Sequence, residues 1–519
     1  MYRLNNVKIK EDLSEEKVIE FALKKYNIKF SEVLDAYIYK KSIDARDKSN
    51  IYYNYSVDVE LTKDREIKGA SKTEKYVFEK INVNRKSEFS PVIVGAGPAG
   101  LFTALILVDN GISPIVVERG SNVEKRVEEV NNFIKTGSLN TKTNIQFGEG
   151  GAGTFSDGKL TTGNNSPYSR KVLEEFVRFG APKEILYTAK PHIGTDNLVN
   201  IVKNMREYII SKGGKFLFDT QVVDFKYNNS KIEKVILDNE AEIETDSVVL
   251  AIGHSARDTF KKLLSSGISM IPKNFAVGVR IEHLQSEINK AQYGERTNLR
   301  LPPAEYKLVY HAKNGRVCYT FCMCPGGQVM ASSSDENTIV TNGMSRFNRD
   351  GENANSALLV NITPEDCGNN GPLCGMYYQE KLEKKAFEMG GNNYYAPIQK
   401  VGDFLKNIKT ESIGKVKPTY KPGVTMSNIN ELFPAYINET LKEAIVELNK
   451  KLKGFSDSDS IMTAVETRTS SPVQITRDST TLETNIEGLY PCGEGAGYAG
   501  GIMTAAVDGI RVAIKILEK

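Results

Sequence analysis

One stretch constrains the fold more than any other: SPVIVGAGPAGLFTALILVDNGISPIVVERG, residues 90–120. It reads as an apolar strand, a glycine turn, an apolar helix, a glycine stop and a second apolar strand. That order is one βαβ unit of a parallel sheet, in which both strands are covered on both faces. The turn carries Gly95, Gly97 and Gly100 in GxGxxG spacing. Gly95 permits the tight turn, Gly97 lets a pyrophosphate approach the backbone, and Gly100 lets helix and strand pack closely. The following Pro98 and Ala99 open the helix, whose free N–H groups favour a phosphate. Glu118 ends the second strand, where an acid can hold both hydroxyls of an adenosine ribose.

A chain of 519 residues exceeds one ordinary core. Residues 1–85 read as a small α+β unit, strand–helix–strand–strand, of ferredoxin-like type. Residues 86–269 read as the first part of a dinucleotide-binding domain, whose last strand is the buried SVVLAIG. Residues 270–460 change texture, with mixed strands and Asn- and Gly-rich turns such as DGENANS, GNNGPLCG and GGNNYY, and are expected to form an inserted substrate domain. Residues 461–519 return to strand, glycine turn and helix, and complete the first domain.

The first residues lack the apolar core of a signal peptide, and the apolar run Ala104–Val108 is far short of a membrane span. A cytoplasmic protein is the expectation. The six cysteines then read as free thiols rather than a disulfide framework. The first 85 residues hold 18 Lys and Arg against 15 Asp and Glu, the whole of the chain's surplus of +3. That excess is too thin to predict nucleic-acid binding.

Two further glycine loops carry chemistry. In an FAD enzyme a segment such as IQFGEGGAGTFSDGKLTTG, residues 145–163, can run beside the flavin ring, with Gly150, Gly151 and Thr154 supplying backbone contacts. GLYPCGEGAGYAGGI, residues 488–502, resembles the C-terminal signature in which an acid after a strand binds a ribityl hydroxyl. Here Glu494 stands where aspartate is usual, and the N–H groups near Gly501 and Ile502 face the ring. Together with KPHIGTD, AIGHSARD, FAVGVRIEH, TFCMCPGG, NGMSRFNRDGENANSALLV and ETRTSSPV, these motifs closely resemble a family of uncharacterised FAD-dependent (NAD(FAD)-utilising) dehydrogenases, over roughly residues 80–519. The resemblance implies a glutathione-reductase-type FAD domain with an inserted substrate domain, and supplies no substrate.

The expected FAD-contacting set is Gly95, Gly97, Pro98, Ala99, Gly100, Glu118, Arg119, Arg126, Gly150, Gly151, Thr154, Val223, Ala251, Gly253, Gly493, Glu494, Gly500, Gly501 and Ile502. His192 is a candidate proton donor or acceptor, and Arg280 and Arg349 are candidates for binding an anionic substrate or a nicotinamide phosphate. His254 reads as structural or as a cofactor contact; Arg468 with Ser470 and Ser471 could reach the flavin edge or serve packing. Cys322 and Cys324 are spaced CxC, share one face of a regular strand, and read as structural; no metal site is expected. Only one dinucleotide fingerprint is visible, so NAD(P)H would dock transiently. The expected function is an FAD-dependent oxidoreductase passing hydride between flavin and a small organic substrate. The alternatives are a flavin-dependent monooxygenase, or a flavoprotein acting on RNA or another macromolecule through residues 1–85.

Overall fold

The computed structural model describes residues 1–161, 166–295, 300–368 and 370–519. Positions 162 and 163 of the second glycine loop, and 369 of an Asn-rich turn, lie outside the described residues.

At the centre is a five-stranded parallel sheet in the order Leu489–Pro491, Val248–Leu250, Val92–Val94, Ile115–Val117, Lys215–Leu217. Its middle strand is Val92–Val94, wholly buried as its unbroken apolar sequence requires. The helix Pro98–Asp109 is buried almost all round, because it lies between this sheet and other helices. Against it packs the last helix, Ile502–Glu518, so closely that a Cβ on Gly509 would collide with the Ala99 carbonyl. The Thr103 hydroxyl sits within hydrogen-bond distance of both the Ala99 and Gly509 carbonyls, at 2.8 and 3.1 Å. The chain's last glycine segment thereby returns to its first. A three-stranded antiparallel sheet, Val222–Asn228, Lys231–Leu237 and Glu242–Glu244, flanks this domain.

Between the fourth and fifth strands of the parallel sheet in chain order, at Val248–Leu250 and Leu489–Pro491, the chain builds a second sheet. Its seven strands run in the order Val309–His311, Val317–Cys324, Asn353–Ile362, Phe275–Leu284, Ile461–Glu466, Ala396–Lys400, Val424–Met426. The helix Ala435–Lys451 contributes Ile437, Leu441, Ala444, Ile445 and Leu448 to its core. Strand Ile461–Glu466 pairs with Phe275–Leu284 and Ala396–Lys400, so the boundary expected at residue 461 falls inside this sheet. The sequence IMTAVE is as apolar as a strand of the first domain, and apolarity alone does not say which sheet it joins.

Residues 2–72 form the expected strand–helix–strand–strand unit, with a short fourth strand, Ala70–Lys72. The antiparallel order is Val33–Asp44, Tyr52–Leu61, Tyr2–Ile9, Ala70–Lys72, with Glu15–Lys25 its single α-helix among the described residues. Alternation along Tyr52–Leu61 buries Tyr53, Tyr55, Val57 and Val59. Polar contacts fasten the unit to the rest of the chain: Lys41 N–H donates to Tyr187 O at 2.7 Å, and Tyr53 OH to Arg300 O at 2.7 Å.

Candidate functional site

The GxGxxG turn is built by sterics. Gly95 has φ +106°, and a Cβ there would collide with the Ala251 carbonyl; a Cβ on Gly100 would collide with the Gly95 carbonyl. Gly97 differs: its backbone is extended, and the nearest atom to a Cβ would be Gly151 Cα at 3.8 Å. The space it leaves opens into a cavity of about 680 Å³, within the roughly 300–1,000 Å³ typical of cofactor and small-molecule sites.

Glu118 lies on this cavity and braces its floor. Its carboxylate accepts N–H bonds from Ala96 at 2.8 Å, Gly148 at 2.9 Å and Gly120 at 3.0 Å. A carboxylate offers about four lone-pair sites, so acceptor capacity remains for a ligand hydroxyl. Arg119 also lines the cavity, stacked over Phe147 and paired with Asp258 at 2.9 Å.

The second glycine loop wraps around Arg126. This fully buried guanidinium donates to five carbonyls: Asn144, Ile145, Gly148, Glu149 and Gly151. Burial pushes it down to about 10. Arg126 therefore shapes the loop, and Gly151, Ala152 and Gly153 of the loop, rather than Arg126, face the cavity.

The third glycine segment closes the opposite side. Cys492, Glu494 and Gly500–Ala505 line the cavity, with Gly501, at φ +122°, capping the last helix. Nothing lies within 4 Å of where a Cβ on Gly500 or Gly501 would stand. Glu494 Oε2 accepts the Gly501 N–H at 3.2 Å, and Oε1 lies 3.1 Å from His254 Nδ1. His254 lines the cavity, and its Nε2 is buried without a partner among the described residues.

The second domain supplies the remaining wall: Phe321, Cys322 and Glu466 from its seven-stranded sheet, Asn342 from the short hairpin strand Thr341–Met344, and Tyr306 from the loop before Val309. Arg280 stands behind it. Its Nε and Nη2 donate to Glu466 at 2.9 and 3.0 Å, Nη2 also to Asn342 at 3.0 Å, and Nη1 to Cys322 O at 2.8 Å. Arg468 reaches the cavity while its guanidinium is held by Glu383, Asp335 and Ser334. Burial would raise the Glu383 carboxyl, but Arg257 and Arg468 outweigh it and hold it well below the usual carboxylate range.

Nine expected residues stand off the cavity. His192 stacks on Phe347, its Nε2 2.8 Å from Phe347 O, and burial and then Arg349 lower it; its neighbours Lys190 and Pro191 face the cavity instead. Arg349 is consumed by a bidentate pair with Asp157 at 2.9 and 2.6 Å, and Arg280 by the contacts above. None of the three lines the cavity: both arginines are paired, and His192 is held against Phe347 through Nε2. Arg126 spends its donors on carbonyls. Gly100 serves helix packing. Gly150 packs against Val202 and Thr154, whose carbonyl accepts the Thr195 hydroxyl at 2.8 Å. Gly493 packs on Ala99 and donates to Asp508 at 2.9 Å. Val223 points to solvent because strand alternation turns Val222, not Val223, inward. Gly95, Gly97, Pro98, Ala99, Glu118, Arg119, Gly151, Ala251, Gly253, Glu494, Gly500, Gly501 and Ile502 all line the cavity.

Lys159, Asn342 and Glu466 line the cavity; each falls within a motif quoted above, in FSDGKL, NGMSRFNRD and ETRTSSPV, but the sequence reading singled out none of them. His254 had a usable signal: it follows the C-terminal end of a central parallel strand, where open α/β sheets bind ligands.

The residues present fit FAD. A backbone cradle at Gly97, the N-termini of two long helices, an acid with spare acceptor capacity and a glycine wall around Gly500 meet in one cavity. The fold and site are those of an FAD-binding, oxidoreductase-like protein. Sequence models agree: residues 88–142 match the FAD binding domain, 274–469 match the FAD-dependent protein, C-terminal domain-like family, and 1–60 match a domain of unknown function. An uncharacterised protein of Clostridium beijerinckii is 45% identical over 100% of this chain and 98% of its own length. The chain belongs to that protein's family of FAD-dependent proteins. A D-amino acid dehydrogenase of Helicobacter pylori is 27% identical over 18% of this chain and 22% of its own. Among solved structures, a Bacillus halodurans glycerol-3-phosphate dehydrogenase complexed with FAD is 11% identical with a TM-score of 0.36, covering 83% of this chain and 65% of its own. A Bacillus cereus glycine oxidase is 12% identical with a TM-score of 0.31, covering 83% and 95%. Likeness this loose says nothing about reaction or substrate. Among the described residues no helix is long and apolar enough to cross a membrane.

Proposed function

We propose that this chain is an FAD-dependent oxidoreductase that passes hydride between flavin and a small organic substrate held against the second sheet. The observation that carries this reading is the continuity of one cavity. It runs from the GxGxxG turn and Glu118, past the Gly500–Ile502 backbone, to Phe321, Cys322, Asn342 and Glu466 of the second domain. When bound, FAD supplies two-electron redox chemistry; the protein supplies position, charge and proton traffic.

Gly97 and the first turn of Pro98–Asp109 would hold the pyrophosphate, and Glu118 a ribose hydroxyl. Glu494, fixed by Gly501 and His254, would hold the ribityl chain. The polar atoms of Asn342 and Glu466 would orient a substrate, with Arg280 locking both from behind. Glu305 is half-enclosed by Lys159 at 3.6 Å and Lys190 at 2.8 Å; burial would raise its carboxyl, and those two lysines more than offset it. Lys159, Lys190 and Glu305 all line the cavity, and two lysines against one carboxylate leave a net positive charge there, which favours an anionic substrate. NAD(P)H would serve as a transient electron donor at the same cavity.

Purification followed by reconstitution with FAD tests this directly. A yellow protein with stoichiometric FAD, whose absorbance bleaches anaerobically with NADH or NADPH, is the expected result. A protein that stays colourless after reconstitution overturns the reading. Strict dependence of turnover on oxygen, with an oxygen atom entering product, would replace the dehydrogenase by a monooxygenase.

A further inference from the structure

Cys322 and Cys324 stand where the second domain closes over the cavity, and the proposed hydride transfer gives them no role. Cys322 lines the cavity and Cys324 is fully buried behind it. The strand Val317–Cys324 loses its regular register between Phe321 and Cys324, a bulge that breaks the alternation of a regular strand. Cys322 sits in that bulge at φ +41°, in the left-handed region that side chains rarely adopt. Such strain persists only where the surroundings enforce it, and it concentrates at functional sites.

The enforcing contacts are cationic. Arg280 donates to the Cys322 carbonyl at 2.8 Å. From the second glycine loop, the Lys159 ammonium donates to the carbonyl of the next residue, Met323. The Cys324 thiol turns back to donate to the Cys322 carbonyl at 3.3 Å, so both sulfurs belong to one short turn of backbone. Even a fully extended chain places residues two apart no further than about 6.6–7 Å between Cα atoms, and the bulge bends this segment, so the pair falls within the roughly 4.4–6.8 Å that disulfides span.

The two thiols are also chemically unequal. The Cys324 thiol hydrogen-bonds Cys322 and, against the effect of burial and with help from Arg280 and Lys159, lowers it; the same partnership and burial raise Cys324. An attacking thiolate beside a protonated partner is the arrangement of thiol–disulfide chemistry. Other thiols differ: burial pushes Cys318 and Cys492 up and takes Cys367 up to about 12.

We propose that Cys322, on the cavity wall, and Cys324, behind it, form a redox-active dithiol at the flavin site, a second two-electron store beside FAD. In the oxidising direction both S–H bonds break, one Sγ–Sγ bond forms, two protons leave, and two electrons pass to oxidised FAD. With two protons, these give reduced FAD; the sum is dithiol plus FAD giving disulfide plus reduced FAD. The inference rests on the FAD-dependent reading above.

The test is an anaerobic dithionite titration of air-oxidised, FAD-loaded protein, paired with a peptide map under non-reducing conditions. Wild type is expected to consume about four electron equivalents per FAD, and Cys322→Ser and Cys324→Ala each about two. The tryptic peptide 317–346 should be lighter by two hydrogens and should resist alkylation at both positions. Cys318→Ser, which removes the third cysteine of that peptide, should leave both results unchanged. If Cys322→Ser does not fold, Cys324→Ala gives the same count. About two equivalents in wild type, with both cysteines freely alkylated after air oxidation, overturns the proposal. If the protein takes up no FAD, the flavin reading fails, whereas the peptide map still reports the disulfide. A yellow protein with no disulfide in the map overturns the dithiol alone.

Discussion

His254 Nδ1 lies 3.1 Å from Glu494 Oε1, and this contact splints the ends of two neighbouring parallel strands, Val248–Leu250 and Leu489–Pro491. The other Glu494 oxygen accepts the Gly501 N–H at 3.2 Å. One side chain thus fixes both a cavity-facing imidazole and the start of the last helix. Glu494→Ala is expected to weaken FAD binding by about 10- to 100-fold, the loss of a hydrogen bond to a charged group plus a loosened glycine wall. Fluorescence titration with FAD measures it. A Kd within a factor of two of wild type would remove Glu494 from the cofactor site.

Two glycines of one motif should separate fold from ligand. At Gly95 a Cβ would strike the Ala251 carbonyl and the backbone lies at φ +106°, so Gly95→Ala should lower the thermal midpoint of the apoprotein markedly. At Gly97 the backbone is extended and the Cβ has open space on the cavity side. Gly97→Ala should therefore fold with an unchanged apoprotein midpoint and yet bind FAD much more weakly. Equal loss of stability in both variants would show that Gly97 is a packing glycine.

Much of the dinucleotide end was legible because backbone sterics leave their mark locally, in glycines placed at fixed offsets from an apolar strand. The partners of charged side chains leave no such mark. Arg280, Arg349 and His192 are residue types that active sites use, but their partners Glu466, Asp157 and Phe347 lie 186, 192 and 155 positions away. Only the folded chain shows both arginines already paired and His192 held against Phe347 off the cavity. The Cys322–Cys324 pair was hidden for a different reason: sharing a strand face assumes regular alternation, and the bulge breaks it. Val223 was displaced by one residue, which in a strand is a reversal of face. The strand Ile461–Glu466 could not be assigned to a sheet from six apolar-rich residues.

Arg126 is expected to matter through shape. It is wholly buried and joins five carbonyls of residues 144–151. Removing it would leave several buried acceptors without donors, at about 1–3 kcal/mol each before the loop relaxes. Arg126→Met should cost about 3 kcal/mol or more of stability, measured by urea unfolding of the apoprotein, and should also weaken FAD binding. Lost affinity with unchanged stability would mean that Arg126 touches the cofactor after all.

His283 gives a pH dependence whose direction follows from its surroundings. It is buried, with Nε2 2.9 Å from Phe455 O and Nδ1 without a partner among the described residues. Burial pushes it down to about 4; Asp457 favours the charged form, and Lys415 opposes it. The folded value lies below the unfolded one of about 6.5. Between these values the unfolded chain binds more protons, so stability rises with pH there. The contribution is complete above about pH 6.5 and is lost as pH falls toward 4, at about 1.4 kcal/mol per unit. Urea midpoints taken from about pH 7.5 down to about pH 5 should fall in wild type and fall less steeply in His283→Gln. Identical slopes in the two proteins would show that His283 does not take up its proton on unfolding.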